Sequence, residues 1–96
     1  MVNSIENLEA AFTEFAVSLR IGDGFDKKLY QCFLDELSLF KNKISKESSI
    51  PKKAVLLFID IYPALSSCSD LYSEDVKQRI NESLDEILFT IKEMID

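Results

Sequence analysis

Seventeen aspartate and glutamate side chains, two cysteines and no histidine are the groups through which this 96-residue chain could do chemistry. Nucleophilic catalysis by serine or cysteine usually draws on a nearby base, most often histidine, and none is present. The common zinc sites need clusters of histidine and cysteine, and the Glu-x-x-His pairs of carboxylate-bridged di-metal bundles are impossible here. "IGDGFD" at residues 21 to 26 lacks the D-x-[DN]-x-[DN]-G spacing and terminal glutamate of a calcium loop. Neither of the phosphate-binding patterns G-x-x-x-x-G-K-[ST] and G-x-G-x-x-G occurs. Nothing selects two of the many carboxylates as an acid–base pair. The chain is therefore read as a non-enzyme without metal or cofactor.

The acidic residues offer a surface instead. On a helix, Asp75, Glu82, Glu86 and Glu93 fall within about 20° of one line, with Asp85 to one side. Phe89 lies among them, about 180° from the apolar stripe of the same segment. A single exposed aromatic in a solvated acidic face is common in soluble proteins. The functional alternative is a docking surface on which Phe89 is the anchor and the carboxylates meet a basic protein. Asp75, Glu82, Asp85, Glu86, Phe89 and Glu93 are accordingly the candidate partner-binding residues.

Two other charge features stand out along the chain. Residues 41 to 53 carry a net charge of +4, whereas residues 1 to 40 carry −4 and residues 54 to 96 carry −6. Lys41, Lys43, Lys46, Lys52 and Lys53 are read as a solvated turn, since a nucleic-acid site would work against the overall charge of −6. Asp60 follows the apolar run AVLLFI and is expected on a solvent-facing edge, the alternatives being a buried charge paired with a cation such as Arg20 or a carboxyl in a pocket that raises its pKa.

The elements that hold these residues are helices. With 47% hydrophobic and 29% charged residues and only two glycines and two prolines, the chain is too apolar for disorder and too poor in turn formers for a many-stranded sheet. Its length suits one domain with one core. Ile5, Leu8, Phe12, Phe15 and Leu19 recur at steps of three and four, predicting a helix over about 4–20, with Asn3 and Glu6 at capping-box spacing. Gly22 and Gly24 are placed to end it. Leu29, Phe33, Leu37, Phe40 and Ile44 predict a second helix over about 26–45, its apolar face widened by Tyr30, Cys32, Leu34 and Leu39.

"PKKAVLLFIDIYPALSSC" predicts a third helix over about 51–66, apolar on nearly every side and so expected at the centre of a bundle, with a kink or break near Tyr62 caused by Pro63. Val76, Ile80, Leu84, Ile87, Ile91 and Met94 predict a fourth helix over about 74–95, opened by Ser73 with Glu74 and Asp75 in its first turn. The architecture expected is a single-domain, all-α antiparallel four-helix bundle. AVLLFI is far shorter than the roughly 20 apolar residues of a spanning helix, so no integral membrane segment is expected. The N-terminus has no signal-peptide or lipidation pattern, which predicts a cytoplasmic protein with Cys32 and Cys68 as reduced, buried thiols.

The region from "LSLFKNKISKESSIPKKAVLLFIDIYPAL" through "YSEDVKQRINESLDEI" resembles the C-terminal half of the small cytosolic bacteriocin immunity proteins of the enterocin A immunity type. That resemblance covers roughly half the chain. It implies a four-helix bundle with a charged turn before an apolar third helix, and a partner formed by a bacteriocin and its membrane receptor. An acidic inhibitor of a basic toxin also agrees with the charge, because opposite charge speeds encounter. The function expected is an immunity protein that binds and neutralises a cognate toxin or bacteriocin. The alternative is a structural or regulatory module, such as a homodimer, adaptor or chaperone, using the apolar surface of helix 3; the two differ in whether the free protein is a monomer or a homodimer.

Overall fold

Apolar residues repeating at helical spacing, separated by three short polar or glycine-bearing stretches, give four helices in the computed structural model, which describes residues 4–46 and 49–95. They are α1 (Ser4–Arg20), α2 (Lys27–Ile44), α3 (Lys52–Ser69) and α4 (Glu74–Ile95). The predicted Asn3 cap lies outside the described residues. Helix α1 stops in a Schellman motif: Asp23 N–H donates to the Ser18 carbonyl at 3.1 Å and Gly22 N–H to the Leu19 carbonyl at 3.2 Å. Gly22 sits at φ 85°, a conformation that a side chain makes costly. Asp26 then caps α2, its Oδ1 accepting from the backbone N–H groups of Lys28 (2.9 Å) and Leu29 (3.1 Å). At the start of α4, the Ser73 carbonyl accepts the Lys77 N–H, and Glu74 and Asp75 occupy the first turn.

The helices form a square in which α1 adjoins α2 and α3, and α4 adjoins α2 and α3; α1 and α4 face each other across one diagonal, α2 and α3 across the other. This is the expected all-α four-helix bundle. The predicted stripe of α1 is buried, as are Phe33, Leu37, Phe40 and Ile44 from α2 and Ile80, Leu84, Ile87 and Ile91 from α4. Phe40 and Phe58 meet edge to face across the α2–α3 diagonal, with ring centroids 6.2 Å apart.

Three expectations are corrected by this arrangement. Helix α3 is not enclosed: Ala54, Phe58, Ile61, Leu65 and Cys68 are buried, but Val55, Leu56, Ile59 and Tyr62 are exposed. A helix at the corner of a square has two neighbours, and its outer side has no further layer to cover it. Of the kink or break expected at Pro63, the break does not occur: α3 continues for 18 residues and ends a turn later than expected. Pro63 is exposed, so the carbonyl it leaves without a helical donor is on the side open to water. Beyond it, Ser67 donates to the Ala64 carbonyl at 3.1 Å and Ser69 to that of Ser66 at 2.8 Å, while Cys68 anchors the last turn in the core. Finally, Cys68 is buried but Cys32 is exposed. Cys32 lies about 100° from Phe33 on α2, and Phe33, Leu37, Phe40 and Ile44 already fill the inward face. Leu39, on the same side as Cys32, is exposed with it.

Candidate protein-docking site

Helix α4 presents the candidate surface because its apolar stripe is turned wholly inward. Asp75, Glu82, Asp85, Glu86, Phe89 and Glu93 are all exposed. Phe89 has 64% of its surface open to solvent, the opposite extreme from Ile87, two residues earlier and fully buried. Within this set the structure gathers Glu82, Asp85, Glu86, Phe89 and Glu93 over about three turns. Asp75 is set apart from them by Arg79, which falls only about 40° from the acidic line. The line is therefore interrupted by a cation.

Two of the carboxylates are fixed from the neighbouring helix. Glu86 accepts a hydrogen bond from the hydroxyl of Tyr30 on α2, and Glu93 Oε1 lies 2.8 Å from Nζ of Lys41 on the same helix. Gln78 donates to Glu82 at 3.1 Å along α4 itself. Glu86 and Glu93 are thus on the α2 side of α4, whereas Asp85, about 80° from the acidic line, is turned towards the α3 side. Desolvation by burial, followed by the hydrogen bond to Glu86 and that residue's charge, pushes the Tyr30 hydroxyl well above the usual tyrosine range. It remains a donor at neutral pH and holds the Glu86 carboxylate in place.

Beside this contact a groove of about 390 Å³ runs between the start of α2 and α4, lined by Phe25, Lys27, Tyr30, Arg79, Glu82, Ser83 and Glu86. Its floor is an aromatic cluster in which Phe25 stacks edge to face on both Phe15 (5.3 Å) and Tyr30 (5.2 Å), and the Arg79 guanidinium lies 6.0 Å from the Phe25 ring centroid. Lys27, Phe25, Tyr30 and Arg79 were not singled out in the sequence. In the sequence Tyr30 only widens an apolar face, and its pairing with Glu86 spans 56 positions in the chain. Spacing along one helix carries no signal of it.

The groove is open to solvent and lined by both acidic and basic side chains, Glu82 and Glu86 facing Lys27 and Arg79. Among the described residues, no group of three or more histidine, cysteine, aspartate or glutamate side chains is disposed to hold a metal ion. The buried polar side chains described are Ser18 and Ser83, and Ser83 donates to the Ile80 carbonyl at 2.7 Å. Asp60 is exposed, as expected for the solvent-facing side of α3. Of the basic turn, Lys41 pairs with Glu93 and Lys53 with Glu9 at 3.3 Å, so part of its charge is used within the bundle. No helix among the described residues is long and apolar enough to cross a membrane.

No protein-family model, curated protein or solved structure matches the chain.

Proposed function

We propose that this chain is a non-enzymatic protein-binding domain, and that it acts as an immunity protein by docking the outer face of α4 on a basic toxin or bacteriocin assembly and occluding it. The observation that carries this reading is Phe89: a large aromatic ring, 64% exposed, standing among Glu82, Asp85, Glu86 and Glu93. An aromatic anchor supplies apolar area at the centre of an interface, and surrounding charges of one sign steer a partner of the other. The tie from Tyr30 to Glu86 adds pre-organisation, since a carboxylate already held in place loses less freedom on binding. The resemblance of residues 37 to 87 to the enterocin A immunity type supports the same class and a cytoplasmic site of action.

The experiment is retrieval of partners by the tagged protein from the producing cell, with native mass determination of the complex, repeated with Phe89→Ala. A stoichiometric complex with a basic protein or a bacteriocin–receptor assembly, weakened by salt and lost in the variant, is the expected result. Retention of the complex by Phe89→Ala removes this face as the docking site. Absence of any such partner removes the immunity reading itself.

A further inference from the structure

Helix α3 carries a second surface, on the other side of α4 from the acidic face. Val55, Leu56, Ile59 and Tyr62 are 43%, 63%, 63% and 51% exposed. Positions 55, 59 and 62 follow each other at steps of four and three, and Leu56 lies beside Ile59, so the four make one strip along the outer side of the helix. Large side chains clustered in this way mark an interaction surface more often than do single exposed apolar residues.

The charges at the ends of the strip indicate what covers it. Lys52 precedes the strip and Asp70 follows it. Eighteen residues separate them, which is five full turns, so they project at the same angle and stand about 27 Å apart. Both are exposed; the Asp70 side chain is 85% exposed and meets Lys77 only at 3.8 Å. Helix α4 repeats the polarity on the flank nearest α3: exposed Lys92 is at the Lys52 end of the antiparallel pair, and exposed Glu74 at the Asp70 end. The strip is thus cationic at one end and, with Asp70 and Glu74 outnumbering Lys77, anionic at the other, while exposed Asp60 flanks its middle beside Leu56. A two-fold axis perpendicular to α3 exchanges the two ends, bringing Lys52 and Lys92 of one copy towards Asp70 and Glu74 of the other while the apolar residues meet between them. A parallel arrangement would set lysine on lysine and aspartate on aspartate.

We propose that the outer face of α3 is a self-association surface, on which two copies of this chain pair antiparallel about a two-fold axis level with residue 61, midway between Lys52 and Asp70. A strip contributed mainly by one helix is at the small end of specific interfaces, so the dimer forms and dissociates with concentration. Phe89 and the carboxylates around it lie outside the strip, so such a dimer leaves the proposed docking face free and is compatible with the immunity reading. Ile59, close to the axis, stands level with Pro63 of the other copy.

Sedimentation velocity of the purified full chain over a concentration series tests the proposal. The expected result is a reversible rise from the 11.0 kDa of the monomer to twice that mass. Ile59→Glu is expected to remain monomeric with an unchanged helical circular dichroism spectrum. Lys52→Glu is expected to weaken association on the order of ten-fold, and Lys52→Glu combined with Asp70→Lys to restore it. Each of these charge changes agrees with the dipole of α3, so weakened association cannot be put down to a weakened helix. A wild-type chain that stays monomeric at its highest soluble concentration overturns the proposal, whether or not α3 then binds another protein or an anionic vesicle. So does a dimer that survives Ile59→Glu.

Discussion

The hydroxyl of Tyr30 donates to the carboxylate of Glu86, joining α2 to α4 at the edge of the proposed docking face. The Tyr30 ring packs 5.3 Å from Phe15 and 5.2 Å from Phe25, so its apolar body belongs to the core while its polar tip orders a surface carboxylate. Replacement by phenylalanine keeps the packing and removes only the tip. Tyr30→Phe is expected to lower stability at neutral pH by about 1 kcal/mol.

The same contact has an alkaline signature. In the unfolded chain Tyr30 ionises near pH 10, as tyrosine ordinarily does. In the folded chain burial and Glu86 keep it protonated to higher pH. Above about pH 10 the folded state therefore binds more protons than the unfolded state, and stability present below that pH falls as the pH rises. Denaturant midpoints followed from neutral to alkaline pH are expected to fall less steeply in Tyr30→Phe than in the wild type. Equal slopes would show that Tyr30 does not contribute to the decline.

Tyr72 should matter through its hydroxyl as well. That group donates to the Leu19 carbonyl at 2.6 Å and accepts from Gly24 N–H at 3.1 Å, tying the start of α4 to the turn after α1. Gly24, at φ 91°, depends on this contact for its N–H. Tyr72→Phe is expected to cost about 1–3 kcal/mol, because the Gly24 N–H loses its partner while the Leu19 carbonyl keeps only its bond from Gly22. Urea unfolding measures the loss, and a change of less than a few tenths of a kcal/mol would show that water replaces the hydroxyl.

Phenylalanines at 33 and 89 should behave as opposites. Phe33 is fully buried and stacks on Phe12 at 5.5 Å, so Phe33→Ala is expected to destabilise the bundle by about 3–5 kcal/mol. Phe89→Ala is expected to change stability by no more than about 0.5 kcal/mol while abolishing partner binding. Thermal unfolding of both variants checks the contrast. A large loss from Phe89→Ala would mean that its exposed ring supports the fold.

The two thiols are expected to differ in accessibility. A thiol-specific reagent should label Cys32 promptly in the folded protein and reach Cys68 only on unfolding, giving one equivalent in buffer and two in denaturant. Labelling of both in buffer would indicate that the last turn of α3 opens readily.

Much of the architecture is legible in the chain because amphipathic helices declare themselves locally. The stripe of α1 from Ile5 to Leu19 and that of α4 from Ile80 to Ile91 require nothing beyond the 3.6-residue period, and both are buried as their spacing predicts. Asp26 and Gly22 mark helix ends through bonds to residues within five positions of them, and Phe89 is placed outward by the same geometry that places Ile87 inward. Each of these depends on near neighbours in sequence.

What the sequence could not determine is how many neighbours a helix would have. The run AVLLFIDIY is apolar enough for a central helix, but four helices arranged in a square give α3 only two neighbours, and Val55, Leu56, Ile59 and Tyr62 are left outside. The same geometry exposes Cys32 and brings Tyr30 to Glu86 and Lys41 to Glu93, pairs more than fifty positions apart. Periodicity fixes the direction of a side chain relative to its own helix axis. Which helix stands in that direction, or whether only water does, is set by the packing of all four at once.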